Sequence, residues 1–100
     1  MGGFIVAPAA EEDLLQIWRY LYESKATAIA DRVEAELYAV FAELSATPGQ
    51  GHTRADLTSH PVLFFTLYSY MIVYRSANPV EIVRVLHGRR DLKRILSRTP

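Results

Sequence analysis

Two amphipathic stretches follow one another with almost nothing between them, and few folds accept that arrangement. Leu14, Ile17, Trp18 and Leu21 recur at intervals of three and four, which lines them along one side of a helix. Pro8 and the acidic run Glu11, Glu12 and Asp13 come before them. Proline sacrifices no hydrogen bond in a first helical turn, and carboxylates there complement the helix N-terminus. A first helix is therefore expected over Pro8–Glu23. Ser24 is the expected N-cap of a second, in which Ile29, Val33, Leu37, Val40, Phe41 and Leu44 keep the period until Thr47-Pro48-Gly49 stops it. Helices joined by so short a turn pack as an antiparallel hairpin. Trp18, on the first stripe, is expected to bridge the hairpin and the layer beneath.

That layer reads as a sheet. Gly3–Ala7 is short, apolar and β-branched. After a polar loop at Gln50–Pro61, with Leu57 as a core anchor, come Val62–Leu67 and Tyr70–Arg75, split by a tight Tyr68-Ser69 turn. Ser76-Ala77-Asn78-Pro79 turns the chain into Val80–His87, which is apolar on both faces apart from Glu81, Arg84 and His87 and should be the central strand. Past Gly88, Arg90–Leu96 reads as a short basic helix. The order β-α-α-β-β-β-α predicts a single α+β domain over residues 1–100, a helical hairpin on one face of a small, mostly antiparallel sheet whose other face is open.

Charge is unevenly spread, although the formal total is zero. From Met1 to Val80 there are 5 Lys/Arg against 9 Asp/Glu, and from Glu81 to Pro100 there are 6 against 2. A dipolar chain of this kind points to an acidic or phosphate-bearing partner at its C-terminal end. The sequence has no cysteine, which removes disulfides and thiolate metal sites. His52 and His60 lack metal-ligand spacing with each other or with His87, so no metal and no cofactor is expected. The start, MGGFIVAPAA, has no basic segment of a signal peptide, and the apolar run Pro61–Tyr74 is too short to span a bilayer. A cytoplasmic protein without membrane contact is the expectation.

Several motifs in this order resemble the RelE/ParE toxin superfamily of type II toxin–antitoxin systems, and its ParE-like branch in particular. They are AEEDLLQIWRYL (Ala10–Leu21), Pro48-Gly49, RADL (Arg54–Leu57), YMIVYR (Tyr70–Arg75) and, most specific, VEIVRVLHGRRDL (Val80–Leu92). The resemblance implies a bacterial cytoplasmic toxin, associated with plasmid stabilisation and neutralised by a ParD-like antitoxin encoded beside it. ParE-like members poison DNA gyrase, whereas RelE-like members cleave messenger RNA on the ribosome.

Metal-free RNA cleavage needs a base for the ribose 2′-hydroxyl, an acid for the leaving oxygen and cations for the developing charge. The sheet offers only Arg75, Arg84 and His87 for these roles, and no tyrosine follows Tyr74. Strand pairing with Glu81 is the structural alternative for the arginines, and ending the strand is the alternative for His87. Gyrase inhibition is therefore the expected activity, with a ribosome-dependent ribonuclease or a non-toxic adaptor on the same fold as alternatives. Arg89, Arg90, Lys93 and Arg94 are the expected contacts to gyrase or gyrase-bound DNA, against the alternative of a solvated helix face. Leu15, Trp18, Tyr22, Ala30 and Tyr38 flank the helical stripes and are the expected contacts to antitoxin.

Overall fold

The structure is a computed structural model and describes residues 3–88 and 90–98. The elements are β1 (Phe4–Val6), α1 (Pro8–Glu23), α2 (Thr27–Ala46), a 3-10 turn (Pro48–Gln50), β2 (Leu63–Leu67), β3 (Tyr70–Arg75), β4 (Val80–His87) and α3 (Leu92–Ser97). The strands form one sheet in the order β1-β4-β3-β2, with β1 parallel to β4 and the other pairs antiparallel. The hairpin of α1 and α2 covers one face, so the α+β architecture and the central place of β4 are as the residue pattern implied.

Both faces of β4 are buried, and a bulge makes this possible. Val73 pairs with Arg84 and Tyr74 with Ile82, which leaves Val83 as the extra residue. Val80, Ile82 and Val85 then join the cluster under the hairpin with Leu14, Leu37 and Phe41. Val83 and Leu86 join a second cluster with Val62, Phe64, Val73 and, from α3, Leu92 and Leu96. The second face is thus covered, not open as expected. Leaving several Val and Leu side chains in water would forgo about 1.5–3 kcal/mol each, and α3 removes that loss with two residues four apart on its inner side.

The turn between the helices also departs from expectation. Ser24 caps the end of α1 instead of starting α2: its N–H and its Oγ both donate to the Tyr20 carbonyl. Lys25 takes a left-handed conformation (φ 62°), with its N–H donating to Tyr22 and that of Ala26 to Leu21. This is the Schellman closure usually built on glycine. It rotates α2 so that Ala30, not Ile29, faces inward; Ala30 is 1% exposed and Ile29 44%. Trp18 sits at the margin of its stripe and does not reach the sheet. It is half-buried, donates from Nε1 to Asp31 of α2 at 3.1 Å and stacks on Tyr22 with 4.7 Å between ring centroids. It ties the two helices together from outside.

The loop after α2 is fastened by Tyr74. This fully buried side chain donates its hydroxyl to the Pro48 carbonyl (2.6 Å) and accepts the Gly51 N–H (2.8 Å). A Cβ at Gly51 would lie 2.6 Å from the Tyr74 hydroxyl and 2.8 Å from the Phe64 carbonyl. The Phe64 carbonyl is backbone that already accepts the His52 N–H, so it cannot yield. Gly51→Ala should therefore lower stability by about 1–3 kcal/mol in denaturant titration. An unchanged midpoint would show that the loop is not seated on Tyr74.

Candidate functional site

Asp13 is the single charged residue buried among those described, at 5% exposure. It sits on the inner side of α1, one turn from Ala10 and from Ile17. Its position follows from the shortness of β1. The last β1–β4 bond, from the Ala7 N–H to the Ile82 carbonyl, is 2.9 Å, and beyond it β4 has no strand neighbour on that side. Asp13 occupies the vacated edge. One carboxylate oxygen accepts the Val85 N–H at 3.0 Å, and the pair of oxygens accepts Nε and Nη2 of Arg84 at 2.7 and 2.9 Å. The Asp13 bond raises Arg84 above its ordinary value while desolvation opposes it, so the guanidinium stays charged.

Beside this pin a cleft of about 540 Å³ opens between α1 and the ends of β3 and β4. It combines apolar Ile17, Leu21 and Val85 with Tyr20, Tyr70, His87 and Arg90. Burial, with repulsion from Tyr20 second, raises Tyr70 above the usual phenol range, so its hydroxyl stays protonated. The Tyr70 ring meets His87 edge-on, with centroids 5.7 Å apart, and the His87 carbonyl accepts the Arg90 N–H at 3.0 Å. His87 therefore closes the strand and starts the turn.

The three residues considered for RNA cleavage are not brought together. Arg84 is committed to Asp13, and Arg75 pairs with Glu81 at 3.2 Å. Arg75 and His87 stand at opposite ends of the β3–β4 ladder, since His87 pairs with Tyr70 and Arg75 with Glu81. Five residues of strand put them roughly 17 Å apart. Among the described residues no group of three His, Cys, Asp or Glu is placed to hold a metal.

Of the expected antitoxin contacts, Leu15, Tyr22 and Tyr38 are exposed at 45%, 50% and 41%. Leu15, Trp18 and Tyr22 share one outer face of α1 by their spacing. Ala30 is packed inside at 1% exposure and offers nothing to a partner, contrary to expectation. Of the basic residues, Arg89 lies outside the described residues. Arg90, Lys93 and Arg94 are exposed. Arg90 and Arg94 line a second depression of about 290 Å³ with Arg84, Ile95 and Arg98. Lys93 points elsewhere, and its charge helps to hold Asp56 below the usual carboxylate range, after the larger effect of the Arg54 bond.

Comparison with solved structures finds the same architecture in "Chromosomal ParDE TA system from P. aeruginosa", with a TM-score of 0.73 and 18% identity, covering 87% of this chain and 96% of that one. Among curated proteins no sequence matches. The family model for "ParE toxin of type II toxin-antitoxin system, parDE" matches residues 4–92, from β1 to the first residue of α3. The chain belongs to that ParE toxin family. No helix among the described residues is long and apolar enough to cross a membrane.

Removing Asp13 should be costly in a specific way. Asp13→Ala leaves the Arg84 charge and the Val85 N–H without their partner and should cost about 3–5 kcal/mol. In an Arg84→Met background the same change should cost clearly less, because no uncompensated cation remains. Equal costs in both backgrounds, measured by denaturant unfolding, would mean that the two residues do not act as a pair.

Proposed function

We propose that the chain is a gyrase-inhibiting toxin of the cytoplasm, held inactive by a cognate ParD-like antitoxin. Membership of the ParE toxin family supports the class. The observation that carries the choice of target is the dispersal of Arg75, Arg84 and His87. General acid–base cleavage needs its groups within hydrogen-bond reach of one phosphodiester. Two arginines engaged by carboxylates, one of them a sheet length from the histidine, do not meet that need. A poison that acts by binding needs a surface instead, and the C-terminal basic residues supply one.

The antitoxin reading rests on the outer face of the hairpin. Leu15, Trp18, Tyr22 and Tyr38 present apolar and aromatic area that a helix of a partner would bury. The solved relative comes from a ParDE system, which accords with a partner of that type.

The target is tested with purified protein in two assays. Supercoiling by gyrase should be inhibited and cleaved DNA should accumulate, while ribosome-dependent cleavage of messenger RNA should be absent. Translation arrest with normal supercoiling would overturn the reading in favour of a ribonuclease, and activity in neither assay would favour a non-toxic adaptor. For the antitoxin face, Leu15→Glu with Tyr22→Glu should weaken antitoxin binding by at least about tenfold, as central interface anchors do. Gyrase inhibition should be unaffected. Full binding by that variant would move the interface elsewhere.

A further inference from the structure

We propose that the depression beside α3 is a binding site for the phosphodiester backbone of duplex DNA, contacted by Arg90, Arg94 and Arg98. The site deepens the gyrase reading, on which its biological use rests, since gyrase holds duplex DNA. Its chemistry is read from its own residues.

The lining is unusual in kind. Four of the five residues around the depression are arginines (Arg84, Arg90, Arg94 and Arg98), and the fifth is Ile95. The Arg84 charge is matched by Asp13, so it forms a rigid wall and adds little net field. Among the described residues no ion pair holds Arg90, Arg94 or Arg98. Arg94 and Arg98 are four residues apart and so stack on one side of α3, while Leu92 and Leu96 anchor the other side in the second core cluster. Asp91 is close in sequence, but its carboxylate accepts the Arg94 N–H as the helix cap. Three like charges crowded on so short a stretch repel one another, and a bound anion would offset that repulsion.

The planar fork of arginine favours oxyanions that accept two parallel hydrogen bonds, phosphate among them. The absence of aromatic lining separates duplex from single strand. Single-stranded DNA and RNA are held by stacking bases on aromatic rings, whereas duplex backbone is held by cations alone. The same absence argues against an acidic protein partner, whose interface core would favour an aromatic anchor that the depression lacks. Of the exposed aromatics, Tyr22, Tyr38 and Tyr68 lie on the hairpin and the β2–β3 turn, and Tyr20 lines the cleft on the far side of Arg90 and not the depression.

The test uses the full chain and a short fluorescein-labelled duplex, without gyrase. Arg94→Glu with Arg98→Glu should weaken binding at least tenfold, and the charge-matched pair Arg19→Glu with Arg32→Glu should stay within about twofold of the parent. Circular dichroism should show both variants folded. Binding should fall with salt on a log–log slope of about −2 to −3, the value for two to three neutralised phosphates. Equal loss in both variants would reduce the effect to overall charge and overturn the site. Tighter binding of single-stranded DNA, RNA or an acidic peptide than of the duplex would overturn the ligand. A chain that inhibits gyrase but does not bind duplex loses this site and keeps the gyrase reading; one that binds duplex through Arg94 and Arg98 without inhibiting gyrase does the reverse.

Discussion

One carboxylate on α1 completes the edge of the central strand, and the placing of both candidate surfaces follows from it. The strand β1 is only three residues long, so it pairs with the first part of β4 and then gives way to the helix. An unpaired N–H at a buried edge costs free energy comparable to a lost hydrogen bond. Asp13 removes that cost at Val85 and in doing so brings Arg84 alongside. The pair itself need not add much net stability, since desolvation of two ions cancels much of their attraction. What it fixes is position. The helix is held at one height along β4, which sets the width of the cleft between Tyr20, Tyr70 and His87 and turns Arg84 into the wall of the basic depression.

The two surfaces are separated by the sheet. The aromatic face of Leu15, Trp18, Tyr22 and Tyr38 belongs to the hairpin, while Arg94 and Arg98 belong to α3 and its end on the other side of β4, and Arg90 borders both the depression there and the cleft beside α1. A partner on the hairpin and a target on α3 would not compete directly for area. Neutralisation by antitoxin would then act through bulk, through acidic residues reaching round to the arginines, or through the cleft at Arg90, which lies next to both.

Periodicity made most of the fold legible. The bounds of α1, β3 and β4 follow from three- and four-residue spacing or from β-branched runs, and the hairpin follows from the shortness of its turn. What escaped was what depends on contacts distant in sequence. Asp13 read as an ordinary N-terminal carboxylate because its partner is 71 residues away. Its place on the inner stripe with Ala10 and Ile17, set against a lone arginine inside an apolar strand, was the available signal. Ala30 reads as surface because Ile29 is larger and fits the same stripe. The left-handed Lys25 that rotates the helix lacks the usual glycine. The covering of the second face was hidden because the bulge at Val83 breaks the alternation from which strand faces are read. Of the candidate sites, the exposed aromatic face and the basic end were visible in composition, but which arginines share a depression was not.

The claim that Asp13 seals the β4 edge is tested most directly by native-state hydrogen exchange at the Val85 amide. Val85 has no strand neighbour on the side its N–H faces. If the carboxylate holds it, the amide should exchange as slowly as those of the β3–β4 ladder, and in Asp13→Asn it should exchange by local opening while the ladder stays protected. Exchange of the Val85 amide as fast as an exposed loop amide in the unaltered chain would contradict the account.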